Sequence, residues 1–407
     1  MSSSFTRSPP TLIRRVSLSG RFLAVLLERI AVGRLEVIAP NGESIGHQAA
    51  TPGPAATLVL HRWRALRRLL FGGDLGFAEA YMDGDWSSPD VPSLIEFAAR
   101  NQSALGKSIE GLGLLKPLNR LLHRSRANTR AGSRRNIEAH YDLGNEFYAA
   151  WLDGGMTYSS ALFTAPGMSL EDAQAAKLAR VTDLLGLAGG ERVLEIGCGW
   201  GGLAEHLIRA AGCHVTGITL SPAQLAHARA RLARAGMADR ADMRHEDYRD
   251  TEGTFDRIVS IEMFEAVGME YWATYFARLR ERLARGGSAV LQVITIEDRR
   301  FEGYRATADF IQRHIFPGGM LPSPTALRRC IAEAGLLLTH EEAFGLSYAA
   351  TLAEWRRRFH RAWPDVRKLG FDERFRRKWD YYLAYCEGGF RAGAIDVGLY
   401  RLTHRPT

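Results

Sequence analysis

The sequence predicts an α/β fold, a doubly wound parallel sheet preceded by a smaller α+β unit, and three observations lead there. Strand-like and helical patterns alternate from residue 192 onward, and a glycine-rich turn follows the first strand of that series directly. The length of 407 residues also exceeds what one hydrophobic core usually serves, so two domains are expected.

Residues 1–100 mix strand-like runs at 34–39 and 57–61 with a turn at Pro40-Asn41-Gly42 and later helical periodicity, which reads as the small α+β unit. Residues 101–136, rich in Gly, Lys and Arg, read as a basic linker, and residues 137–407 form the larger unit. Within it the series runs strand 192–196, helix 203–211, strand 214–219 and helix 222–234. It continues with strand 256–261, a helix over 271–285, Gly286-Gly287 and strand 288–294. Repeated strand-helix-strand units of this kind bind ligands at the carboxyl ends of their strands.

A composition of 46% hydrophobic and 24% charged residues is that of a folded protein. The longest early apolar run, residues 22–27, is broken by Glu28 and Arg29, far short of the roughly 20 residues a bilayer-spanning helix needs. The first ten residues lack the order of a signal peptide, so a cytoplasmic protein is expected. Cys198, Cys213, Cys330 and Cys386 show neither zinc-like spacing nor a disulfide framework, and no metal site is expected. The net charge of +8 is concentrated at Lys116, Arg120, Arg124, Arg126, Arg130, Arg134 and Arg135. That run suits an anionic membrane surface, and equally a solvated linker helix. Leu118, Leu121 and Leu122, at helical spacing after Pro117, suit a short interfacial helix or an interdomain core.

After the first strand comes Gly197-Cys198-Gly199-Trp200-Gly201-Gly202, where glycines let the backbone turn tightly and approach a ligand closely. The spacing also fits dinucleotide enzymes. Two features favour S-adenosylmethionine (SAM) over NAD. Glu195 at the strand end suits a cationic, phosphate-free ligand, and a pyrophosphate would be repelled there. The end of the second strand reads Ile218-Thr219-Leu220-Ser221-Pro222, without the acid that holds an NAD ribose.

With these stand Phe77 to Trp86, His140-Tyr141-Asp142-Leu143-Gly144-Asn145, Thr157-Tyr158-Ser159-Ser160, Met263-Phe264-Glu265, Ile315-Phe316-Pro317-Gly318-Gly319, and Phe344-Gly345 with Tyr348. In these ordered motifs, spread over nearly the whole chain, the sequence resembles the cyclopropane fatty acid synthase family, which includes the mycolic acid cyclopropane synthases. The resemblance implies a Rossmann-like SAM-dependent methyltransferase domain that alkylates the double bond of an unsaturated phospholipid acyl chain. It also implies an N-terminal domain engaging lipid and membrane, peripheral membrane association, and a homodimer. SAM is expected at Tyr158, Ser159, Gly197, Gly199, Thr219, Leu220 and Gln224, with Glu246, Asp247 and Tyr248 on the adenine side and Asp247 capping the adenine amine.

An alkene is a weak nucleophile, so the methyl donor must be held in line with it and water kept out. Transfer leaves a carbocation, for which Tyr158, Phe163, Phe264, Tyr304, Phe310 and Tyr348 are candidate aromatic neighbours. Ring closure then needs a base. The resemblance implies a bound bicarbonate held by a Cys, a Glu, a His, an Ile and a Tyr. Glu265, Ile294 and Tyr348 match, whereas Ser160 stands in place of the Cys and Gln292 in place of the His. Both retain hydrogen-bonding capacity, which leaves two products open: a cyclopropane, or a methyl-branched or methylated unsaturated chain. Other classes are a nicotinamide oxidoreductase, weakened by the missing ribose acid, and a silent lipid-binding protein, weakened by the intact loop and Glu265. A nucleic-acid partner is not expected, since no base-reading element is present.

Overall fold

The computed structural model describes residue 23, residues 27–105 and residues 143–405. Most of the expected linker lies outside the described residues, including its basic run and the leucines at 118–122, as does the His140-Tyr141-Asp142 portion of one motif.

The N-terminal part builds a four-stranded sheet from β1 (Val32–Ile38), β2 (Ser44–Gln48), β3 (Thr51–Leu60) and β4 (Trp86–Ser87), in the order β2-β1-β3-β4. The expected turn closes the β1-β2 hairpin, with Gly42 at φ +85° and its N–H donating to the Ala39 carbonyl at 2.9 Å. β1 and β3 pair in parallel. Two helices accompany this sheet, α1 (Arg64–Met82), between β3 and β4 and broken at Gly73, and α2 (Val91–Arg100), after β4. Asp90 caps α2 by accepting the Ser93 N–H at 3.0 Å, and Pro92 sits in the first turn, where no backbone donor is needed.

The larger part begins with α3 (Leu170–Leu185), then alternates β5 (Arg192–Ile196), α4 (Gly202–Ala211), β6 (His214–Thr219), α5 (Pro222–Arg234), β7 (Ala241–His245) and β8 (Phe255–Ile261). There follow α6 (Trp272–Arg282), β9 (Leu283–Ile296), α7 (Asp298–Ala306), α8 (Phe310–His314), α9 (Pro324–Glu333), β10 (Leu336–Ala343), a helical pair α10 (Gly345–Lys368) and α11 (Glu373–Arg391), and β11 (Ile395–His404). Seven strands form one sheet in the order β10-β11-β9-β8-β5-β6-β7, with β11 antiparallel to its neighbours β9 and β10. This is the expected doubly wound sheet. From β5 the chain steps outward to β6 on one side and returns to β8 on the other, so the crevice above their carboxyl ends is the ligand position of such folds.

Two boundaries differ most from the sequence reading, and the first is β3, which begins at Thr51 where a run at 57–61 was expected. The helix expected over 271–285 ends at Arg282, and β9 starts at once, carrying Gly286-Gly287 inside it as an irregularity in its pairing with β8. A Cβ on Gly287 would lie 2.6 Å from the Asp256 carbonyl oxygen, so the strand passes β8 too closely for any side chain there.

The N-terminal sheet and the α10-α11 pair share one continuous core, to which Leu60, Trp86 and Phe97 contribute from one side and Trp355, Phe359 and Trp379 from the other. α2 and α11 approach closely at Gly388, where a Cβ would meet Ile95 Cβ at 2.7 Å. Beside this contact lies the buried Asp380, which accepts from Tyr81 Oη of α1, from Arg356 Nε at 2.6 Å and pairs with His360 Nε2 at 2.6 Å. Burial works against its charge, but the His360 hydrogen bond and the Arg356 charge outweigh it and hold the carboxyl well below the ordinary range.

Asp380→Ala strands Arg356 and Tyr81 together, and a cost of about 3–5 kcal/mol is expected. Chemical denaturation should show a lower midpoint, with the variant's deficit shrinking as acid protonates Asp380 in the parent protein.

Candidate active site

β5 delivers the glycine turn to the crevice. Gly197, Gly199 and Gly201 all have positive φ, and the N–H groups of Gly197 and Cys198 donate to the Ile218 carbonyl at 3.0 and 2.9 Å, pinning the turn to β6. A Cβ built on Gly199 meets no atom within 4 Å, so this turn borders open space. Across it, Thr219 Oγ1 hydrogen bonds Gln224 Oε1 at 2.9 Å and receives the Ser221 N–H at 3.1 Å, which orders the start of α5.

The space is a cavity of about 1230 Å³ that runs from the glycine turn to the N-terminal unit. Its near wall includes Tyr158, Ser159, Gly197, Gly199, Thr219, Leu220, Gln224, Glu246 and Tyr248, all expected on the ligand. Asp247 is not in that wall: its carboxylate is gripped by Arg249, at 2.8 Å to Nε and 2.6 Å to Nη2. The far wall is apolar, with Leu58, Leu66, Leu75, Leu94 and Phe97. Of the six aromatic candidates, Tyr158, Tyr304 and Tyr348 face the cavity, whereas Phe264 and Phe310 pack in the core and Phe163 packs against it. Tyr381, Tyr382 and Tyr385 of α11 line it as well, at a helical spacing that is readable in the sequence.

Ionisable groups gather where the two ends of the cavity meet. Lys177, fully enclosed on the apolar face of α3, donates to Ser159 Oγ at 2.9 Å, and burial pushes its ammonium down to about 8. Glu195, next to last in β5, has Oε2 buried and without a hydrogen-bond partner among the described residues; burial pushes its carboxyl up to about 8, against the pull of Lys177. Glu265 accepts the Ile294 N–H at 2.6 Å, and burial followed by the charge of Glu262 pushes it up to about 8. The Ile315 to Gly319 motif folds back here, with the Met320 N–H donating to the Glu265 carbonyl at 2.8 Å.

Sequence reasoning missed Glu262. Its Oε1 accepts the Ser160 N–H at 2.8 Å and Gln292 Nε2 at 2.7 Å, and its Oε2 accepts Tyr348 Oη at 2.5 Å. Ser160 and Gln292 are completely buried and lie outside the cavity wall, while Glu262, Glu265, Ile294 and Tyr348 form part of it. The structure thus gathers Ser160, Gln292 and Tyr348 around one carboxylate, and Ile294 with Glu265 beside it. The signal was available, since Glu262 follows β8 just as Glu265 does. Lys177 was also legible as a lone cation on the stripe Leu170, Ala173, Lys177, Val181, Leu184.

The donor set fits SAM: a glycine cradle bordering open space, and a buried Glu195 oxygen, without a partner among the described residues, for a polar or cationic ligand. Among the described residues no cluster has metal-ligand composition.

A profile of the mycolic acid cyclopropane synthetase family matches residues 128–399. The chain belongs to this family. It is 41% identical over 375 residues to tuberculostearic acid methyltransferase UfaA1 of Mycobacterium tuberculosis, covering 89% of this chain and 86% of that protein. It is 35% identical over 343 residues to the cyclopropane-fatty-acyl-phospholipid synthase of Escherichia coli strain K12, covering 81% and 83%. In structure it resembles mycolic acid cyclopropane synthase CmaA1 complexed with SAH and CTAB, at TM-score 0.63 and 30% identity over 66% of this chain and 97% of that one. The chain is therefore a SAM-dependent methyltransferase.

The protonation of Glu195 yields a test. In the free protein at pH 7 a carboxyl near 8 is mostly neutral, and a sulfonium placed beside it favours the charged form, so binding must expel a proton. Calorimetry of SAM binding at pH 7 should give an enthalpy that varies with the buffer's ionisation enthalpy. Glu195→Gln should weaken binding about tenfold or more and remove most of that variation.

Proposed function

We propose that this chain transfers a methyl group from SAM to the double bond of an unsaturated fatty acyl chain of membrane phospholipid, and that loss of a proton from the added group then closes a cyclopropane. The observation that carries this reading is one continuous cavity of about 1230 Å³, polar and glycine-lined at one end and aliphatic at the other. Such a space suits a nucleoside-bearing methyl donor meeting a long apolar chain. The name of the Escherichia coli relative supports the phospholipid acceptor.

Bound at the glycine turn, SAM supplies an electrophilic methyl on a cationic sulfur. The chain's own residues do the rest. The glycine turn, Thr219 and Gln224 position the donor, and the leucines of the N-terminal unit hold the alkyl chain, so the two reactants meet at fixed orientation. The apolar walls exclude water, which would otherwise capture the cation. Tyr158, Tyr304 and Tyr348 offer aromatic faces and oxygens to the positive charge that develops on the acyl chain. The N-terminal unit, residues 1–100, engages the lipid in this reading, and the enzyme works as a homodimer on the cytoplasmic face of an anionic membrane, which the net charge of +8 supports.

A second reading, methyl transfer without ring closure, is favoured by two observations: Ser160 and Gln292 stand where the resemblance expects Cys and His, and UfaA1 is named a tuberculostearic acid methyltransferase.

The test is incubation of the protein with SAM and vesicles of monounsaturated phospholipid, followed by gas chromatography and mass spectrometry of the fatty acids. A gain of one CH₂ that resists mild hydrogenation of double bonds and carries a cyclopropane fragmentation pattern is expected. A gain of one CH₂ with the double bond retained selects the second reading, and SAM binding without any altered lipid refutes both. Tyr348→Phe removes one donor from Glu262, and a fall in product rate of about tenfold or more is expected with SAM affinity unchanged.

A further inference from the structure

The resemblance leads one to expect an external bicarbonate as the base, held by the residues at positions 160, 265, 292, 294 and 348. In this structure those positions are already engaged. Ser160 N–H, Gln292 Nε2 and Tyr348 Oη all donate to Glu262, and Ile294 N–H donates to Glu265. A separate anion would have to compete with Glu262 for its donors and lie against its carboxylate, which like charges oppose.

We propose that Glu262 is the catalytic base, a carboxylate built into the chain at the place where an external anion is otherwise expected, so that turnover needs no bicarbonate. This rests on the functional reading above. Glu262 lines the cavity, with Ser160 and Gln292 buried behind it as its supports. Its backbone sits at φ +48°, in the left-handed region where glycine is at ease and a glutamate is strained. A strained, non-glycine residue at the end of a central strand, with its carboxylate fixed by three donors, marks a side chain kept for chemistry.

Glu262 and Glu265 cannot both ionise without cost, and the hydrogen bonds decide between them. Burial raises both, but Glu262 receives three donors and the pull of the Lys177 ammonium. Glu265 receives the Ile294 donor, and its Oε2 has no partner among the described residues. Burial still leaves Glu262 above the usual carboxylate range, but of the two it is the member that ionises first.

The step balances without any further reagent. The alkene π pair forms the bond to the methyl as the sulfur keeps the electrons of its broken bond, which leaves a cation on the neighbouring carbon. Glu262 then takes a proton from the added methyl, and the freed C–H pair forms the second carbon-carbon bond and closes the ring. The proton on Glu262 passes to solvent as the product leaves.

Two measurements test this. In buffer purged of carbon dioxide, the wild-type enzyme, assayed with SAM and monounsaturated phospholipid vesicles, should turn over as fast as with added bicarbonate. Glu262→Gln should lose about 100-fold or more in product formation while binding SAM as the parent does. Glu262→Gly relieves the φ strain and opens space among Ser160, Gln292 and Tyr348, so added bicarbonate should restore activity in proportion to its concentration. A wild-type rate that collapses on bicarbonate removal, or a Glu262→Gln enzyme as fast as the parent, overturns the assignment while leaving the functional reading intact. Wild-type protein that alkylates no lipid under either condition overturns the functional reading, and the assignment with it.

Discussion

A carboxylate taken out of water raises the free energy of the fold unless donors or a counter-charge meet it. This active site holds three of them, Glu195, Glu262 and Glu265, with Lys177 among them as a buried cation. Much of the larger unit is arranged around that constraint. β5 and β8 end at the same level, so Glu195 and Glu262 face one crevice, and α3 places Lys177 beneath it through the same apolar stripe that docks the helix on the sheet. The three carboxyl groups are only partly satisfied. Glu195 and Glu265 each keep an oxygen without a partner among the described residues, which is the condition of a site that stabilises positive charge when a ligand brings it.

The second constraint is the cavity itself. An apolar space of this size weakens a core unless the surrounding structure is stiff. The stiffness comes from aromatic packing across α10 and α11 and from Asp380, which ties both helices to Tyr81 of the N-terminal unit. The N-terminal sheet is thus a wall of the cavity and part of the same core as the helical pair. Loss of its contacts would affect the aliphatic end of the cavity and the stability of the fold together.

The doubly wound sheet was legible because each βα unit pairs a short apolar run with a helical period, and the glycine turn was legible because its function demands residues without side chains. β2 was harder to see, since Ser44–Gln48 alternates only between exposed and half-buried positions and has no apolar run to announce it. The long β9 was obscured by Gly286-Gly287, which reads as a break in one dimension and is a close strand crossing in three. At the site, Ser160 and Gln292 were recognised as departures from a pattern, but what they depart toward is a contact between residues far apart in the chain. Ser160, Glu262, Gln292 and Tyr348 come from four separate stretches of the chain, and no local rule joins them. Asp247 shows the reverse: its neighbour Arg249 two residues on claims its carboxylate, a short-range pairing that the sequence displayed.

Glu262 changes how the reaction is governed as well as which group accepts the proton. A diffusible anion can enter with substrate, leave with a proton, and vary in supply with the medium. A carboxylate anchored at three points does none of these, so its proton must be released through the cavity before the next cycle, and its position relative to the acyl chain is set by the fold alone. Where the alkene sits along the apolar wall then determines which hydrogen lies nearest that fixed oxygen. If it is one on the added methyl, a ring closes; if it is one on the chain beyond the cation, a branched alkene results. With Glu262 as the proposed base, the walls contributed by the N-terminal unit and α11 decide the product, and Glu262 can serve either outcome with the same chemistry.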